Sequence, residues 1–103
     1  MLYRMRIYAA VPENIQVFHE FFRAYLLPVQ LRHGARLVGR WETEDKKVVA
    51  IWEYDDHAAY ERIAAAVRAD PDSVAAQRHR AQLPTLVTAT DEVFMTSTAD
   101  SYS

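Results

Sequence analysis

The sequence predicts an α+β fold of the ferredoxin-like kind, ordered β-α-β-β-α-α-β around a four-stranded antiparallel sheet. Three observations carry this. Residues 3–9, 36–43 and 47–54 have the length and the patterning of strands. Residues 13–33 carry an apolar stripe at helical spacing. Aspartates precede two further helical stretches, at Asp55-Asp56 and at Asp70-Pro71.

In chain order, Tyr3 to Ala9 alternate in polarity and form the first strand. Pro12 and Glu13 open a long helix, where a missing N–H is no loss and an acid suits the helix dipole. Ile15, Phe18, Phe22, Tyr25, Leu26 and Val29 form its stripe. Pro28 lies inside the pattern and predicts a kink or break near Tyr25–Leu27, and Gly34 closes the helix. The second and third strands, 36–43 and 47–54, are joined as a hairpin across Glu44-Asp45-Lys46. Helices follow at 57–69 and at 71–82, the latter stopped by Pro84. A last strand covers 86–96, with a bulge expected at Asp91-Glu92. The 103 residues suffice for a single domain, placed at 1–98, with a flexible tail at 99–103.

Composition removes many chemistries. Without cysteine there is no disulfide, thiolate nucleophile, iron–sulfur cluster or Cys-ligated zinc. Two glycines, Gly34 and Gly39, cannot build a phosphate-cradling loop. The two lysines, Lys46 and Lys47, sit in a turn, which disfavours Schiff-base chemistry. A net charge of −2 disfavours nucleic acid as partner. No apolar run reaches membrane-spanning length, and no export signal opens the chain, so a cytoplasmic protein away from membranes is expected. No histidine pair has metal-ligand spacing, and neither a metal nor a cofactor is expected.

Four segments carry a resemblance. Tyr3, Arg6 and Tyr8 open the first strand; Leu26-Leu27-Pro28, His33-Gly34 and Leu37-Val38-Gly39 span the end of the first helix and the next strand. Trp52-Glu53-Tyr54-Asp55 ends the third strand, and Ala69-Asp70-Pro71 precedes the third helix. Together they resemble the NIPSNAP family of the dimeric α/β-barrel group. The resemblance implies a homodimer whose two sheets face each other as a barrel. It implies no assigned activity, although the wider group includes cofactor-free oxygenases, polyketide cyclases and haem-degrading enzymes. Two positions depart from the pattern. Ala50 stands where many relatives carry a histidine, and Val74 where many carry an aromatic. Chemistry using that histidine is therefore not implied.

Strand alternation assigns faces. The apolar sets Tyr3, Met5 and Ile7; Leu37, Gly39 and Trp41; and Val48, Ala50, Trp52 and Tyr54 are expected under the helices. Arg4, Arg6, Arg36 and Arg40 are expected together on the opposite face. They form either a solvated or dimer-facing surface paired with glutamates, or an anion site inside the barrel, with Arg6 and Arg40 as its binding residues. Tyr3, Trp41, Trp52 and Tyr54 make either an aromatic core or the lining of a substrate pocket. His33 falls near the apolar stripe of the first helix and His19 at its edge. Each is either a boundary histidine or a general base. His57 and His79 are expected at the surface. Val17, Phe21, Leu27 and Leu31 make that helix apolar off its stripe too, so a partner subunit or the third helix is expected to cover it.

These readings converge on a small-molecule-binding homodimer. It is expected to act without a cofactor in cyclisation, isomerisation or oxygenation of a small aromatic or polyketide-like metabolite. The alternatives are a non-catalytic binding or structural dimer and, by analogy with the wider group, a haem-binding or haem-degrading protein.

Overall fold

Proline and glycine punctuate the first half of the chain where the sequence places them. A computed structural model describes residues 1–98; the expected tail at 99–103 lies outside the described residues. Strand β1 (Leu2–Ala10) is followed by a 3₁₀ turn at Pro12–Asn14, α1 (Ile15–Phe21), a π-helical turn at Phe22–Leu26 and α2 (Leu27–Arg32). Then come β2 (Arg36–Glu42), β3 (Lys47–Tyr54), α3 (His57–Ala69), α4 (Pro71–Arg80) and β4 (Val87–Thr96). The π turn answers Pro28, which cannot donate to the Ala24 carbonyl and whose ring crowds it. The helix widens just before the proline instead of ending.

At the end of α2, Gly34 takes φ 103° while the Ala35 N–H donates to the Gln30 carbonyl at 3.1 Å. The β2–β3 hairpin turns through Lys46 at φ 65°, a left-handed residue closing a three-residue loop. Asp56 caps α3 by accepting from the Ala59 N–H at 2.7 Å, and Asp70 caps α4 by accepting from the Asp72 N–H at 2.8 Å.

The sheet order is β2-β3-β1-β4, with every neighbouring pair antiparallel. Register corrects the expected faces. Arg4 lies opposite Trp52 and Phe94, and Arg6 opposite Ala50 and Glu92. Residues opposite one another in an antiparallel pair share a face. Arg4, Arg6 and Tyr8 therefore lie under the helices with Val48, Ala50, Trp52 and Tyr54. Tyr3, Met5 and Ile7 share the open face with Val49 and Ile51. A shift in register between Leu37 and Gly39 changes the phase of β2. Leu37 and Arg40 consequently face the helices, whereas Arg36, Gly39 and Trp41 do not. The irregularity in β4 also differs from expectation. It lies opposite Ala9 and Ala10, and Asp91-Glu92 pair regularly with Ile7 and Arg6.

The core is split in two. Ala10, Ile15, Phe18, Phe21, Val48, Ala76 and Leu86 form one cluster. Leu2, Ala35, Trp52, Tyr54 and Ile63 form the other. Arg4 and Arg6 lie on β1 between Leu2 and Ala10, so the helix-covered face is polar at its middle. Phe21, off the main stripe, is covered by Tyr25 and by His79 of α4, while Leu31 stays half exposed.

Candidate functional site

The gap between the two core clusters is a cavity of about 210 Å³. Arg4, Arg6, Tyr8 and Trp52 come to it from the sheet; Phe18, Phe22, Leu26 and Gln30 from α1, the π turn and α2; Gln77 and Arg80 from α4. The π turn matters here, because it supplies Phe22 and Leu26 to the wall. A larger, open depression of about 370 Å³ adjoins the cavity through Gln77, Arg80 and Val87.

Glu92 organises the arginines. Its Oε1 accepts from Arg4 Nε and from Arg6 Nη1, the latter at 3.0 Å. Arg6 Nε donates to the Tyr8 hydroxyl at 3.3 Å. Partial burial raises the Glu92 carboxyl, but the hydrogen bonds from Arg4 and Arg6 outweigh it and hold the group below the usual carboxylate range. Glu92 is thus a fixed anion and a poor proton acceptor. Burial pushes the Tyr54 hydroxyl up, against the pull of Arg4. Tyr54 lines a smaller cavity of about 150 Å³ with Arg4, Gln30 and Tyr60.

Of the residues singled out in the sequence, Trp52 and Arg6 line the main cavity and Tyr54 the adjoining one. Tyr3 and Trp41 do not join them, because both lie on the open face. Trp41 is half exposed, and its ring folds over Gly39. Arg40 stacks over Phe22 at 4.3 Å and Phe18 at 5.0 Å, two residues of the cavity wall. Its Nε and Nη2 are buried without a hydrogen bond, and burial lowers its pKa.

Neither candidate base reaches the cavity. Arg40 Nη1 lies 2.7 Å from His19 Nδ1, and His19 Nε2 lies 2.9 Å from Glu42. A guanidinium only donates, so Nδ1 accepts and the ring proton sits on Nε2, facing Glu42. His33 Nε2 lies 2.7 Å from Asp70 Oδ2, which also accepts from Arg32 Nη1 at 2.8 Å. That cluster ties the end of α2 to the cap of α4. His79 stacks on Tyr25 at 4.3 Å and His57 packs by Phe94. Among the described residues no histidine lines the cavity and no cluster of metal ligands forms. The lining does not fit a haem. It offers no axial histidine, and its volume lies below the ~300 Å³ at which drug-sized pockets begin.

The sequence reading missed Glu92, Gln30, Gln77 and Arg80 at this site. For Glu92 the sequence offered only an acid inside the last strand; the register that sets it opposite Arg6 came from the structure. For Gln30 on α2 and for Gln77 and Arg80 on α4 there was no signal.

Among the described residues no helix is long and apolar enough to cross a membrane. No curated protein matches the chain. Solved structures do. An uncharacterised NIPSNAP-domain protein of Burkholderia xenovorans superposes with TM-score 0.85 at 24% identity over all of both chains. A NIPSNAP-family protein with unknown function from Agrobacterium tumefaciens gives 0.84 at 20% identity, over 98% of this chain and 91% of that one. A protein described as a candidate antibiotic biosynthesis monooxygenase from Nitrosomonas europaea gives 0.67 at 13% identity, over 96% and 100%. At such identities the likeness is one of fold. The NIPSNAP family model itself matches residues 3–102, nearly the whole sequence, and the chain belongs to the NIPSNAP family.

Proposed function

We propose that the cavity between sheet and helices is a ligand site, and that the protein is a cofactor-independent enzyme acting on a small conjugated metabolite by cyclisation, isomerisation or oxygenation. The observation that carries this is the cavity itself, which divides the core at arginines held in place by Glu92. A chain that needed only a stable core would gain from apolar residues there, since a buried ion network adds little stability over an apolar replacement. Arg6 would stabilise negative charge developing on an oxygen, and the Tyr8 hydroxyl beside it would donate a proton. The monooxygenase description of the Nitrosomonas europaea protein supports chemistry in this fold.

A non-catalytic binding protein is the second reading. It is favoured by the engagement of His19 and His33 in other contacts and by the weak basicity of Glu92. In either case a second copy of the chain covers the open sheet face, where Met5, Ile7, Val49 and Ile51 lie.

Trp52 is buried in the cavity wall, so a Trp41→Phe variant leaves it as the sole tryptophan reporter. Small conjugated ketones and phenols should shift its emission, and turnover should fall about 10²–10⁴-fold in Tyr8→Phe with affinity preserved. Binding without turnover, equal in parent and Tyr8→Phe, selects the second reading. An emission unmoved by every compound removes both.

A further inference from the structure

Given that the cavity is a ligand site, we propose that its ligand is a small flat carboxylate, with the anion taken by Arg6 and Arg80 and the apolar body lying against Trp52 and Phe22. Charge is the first argument. Arg4, Arg6 and Arg80 line the cavity, and Glu92 is the acid that engages Arg4 and Arg6. Arg80, at the rim, has no acid partner among the described residues. One carboxylate shared between Arg4 and Arg6, with Arg80 unpaired beside them among the described residues, leaves the lining with a surplus of guanidinium donors that an anion would fill.

Donor geometry is the second argument. Glu92 and Tyr8 occupy Nη1 and Nε of Arg6, which leaves its Nη2 without a hydrogen bond among the described residues. A guanidinium held at two of its three nitrogens presents the third in a set plane, which suits a carboxylate or phosphate oxygen. The aromatic wall separates those two anions. Phe22 and Trp52 have ring centroids 6.1 Å apart and both line the cavity, so it offers an aromatic surface that inorganic phosphate would leave bare. With about 210 Å³ available, the body is the size of a single ring.

Calorimetric titration of the full chain with benzoate, benzyl alcohol, benzylamine and inorganic phosphate tests this. Benzoate should bind about tenfold or more tightly than benzyl alcohol, as expected for hydrogen bonds to a charged partner. Arg80→Gln, at an exposed site, should abolish that preference and leave benzyl alcohol unaffected. Arg78→Gln, an exposed neighbour, should do nothing. Benzyl alcohol or benzylamine binding as tightly as benzoate would leave the ligand site standing and overturn the anion. An unchanged benzoate affinity in Arg80→Gln overturns the role of Arg80. Phosphate matching benzoate overturns the apolar body. If none of the four binds at millimolar concentration, the ligand-site reading falls together with this one.

Discussion

Asp70 is the described chain's one buried charged residue, and it holds three groups at once: the Asp72 N–H, His33 and Arg32. The hydrogen bond from His33, then that from the Asp72 amide, holds its carboxyl below the usual range against the opposing effect of burial, with Arg32 adding to the pull. A carboxyl depressed by folding stabilises the native state above its unfolded value of about 4, and that contribution is lost as pH falls through the lower folded value. Asp70→Asn keeps a capping side chain but removes the charge. It should lower Tm at neutral pH, and its gap from the parent should close below about pH 4; a gap of constant size across that range rejects the assignment. His33 thus has a structural task. The sequence placed it near the apolar stripe but could not reveal Asp70, 37 residues away, as its partner.

At the scale of elements, α4 is held close by smallness. Ala76 is fully buried in the core cluster that holds Ile15, Phe18 and Phe21, whereas Ala75 beside it is exposed. Ala76→Leu should cost about 1–3 kcal/mol by overpacking, read from the urea midpoint, and Ala75→Leu should cost almost nothing. Equal effects would mean that α4 is not seated as described. An irregularity in the first helix was legible because Pro28 dictates it locally. That it takes the form of a π turn presenting Phe22 and Leu26 to the cavity was not, since the same proline could equally have ended the helix.

The whole molecule is only 19 Å across its thinnest dimension, one helix layer on one sheet. Its open face carries Tyr3, Met5, Ile7, Val49 and Ile51, with Trp41 and Val93 about half exposed. A second copy on that face would explain why β1 and β3 are apolar on this side too. Ile51→Asp should then weaken self-association by about 10²–10³-fold, the effect of an unpaired charge buried at an interface. Sedimentation measures this directly, and a parent chain that is monomeric at micromolar concentration sinks the dimer.

Sequence alone determined the order of elements, the hairpin, both aspartate caps and the family resemblance, because each depends on residues near one another in the chain. It did not determine which side of β1 meets the helices. Apolar alternation marks the covered face only when the other is wet, and here the apolar set Tyr3, Met5 and Ile7 turns away from the helices while Arg4 and Arg6 turn toward them. Nor could periodicity register the shift at Leu37–Gly39 that sends Trp41 and Arg40 to opposite faces. Tertiary structure alone decided those, and with them the site. An arginine's long apolar stem packs beneath a helix as readily as it lies at a surface, so only the partners brought by register, Glu92 and Trp52, show that Arg4 and Arg6 belong to a cavity.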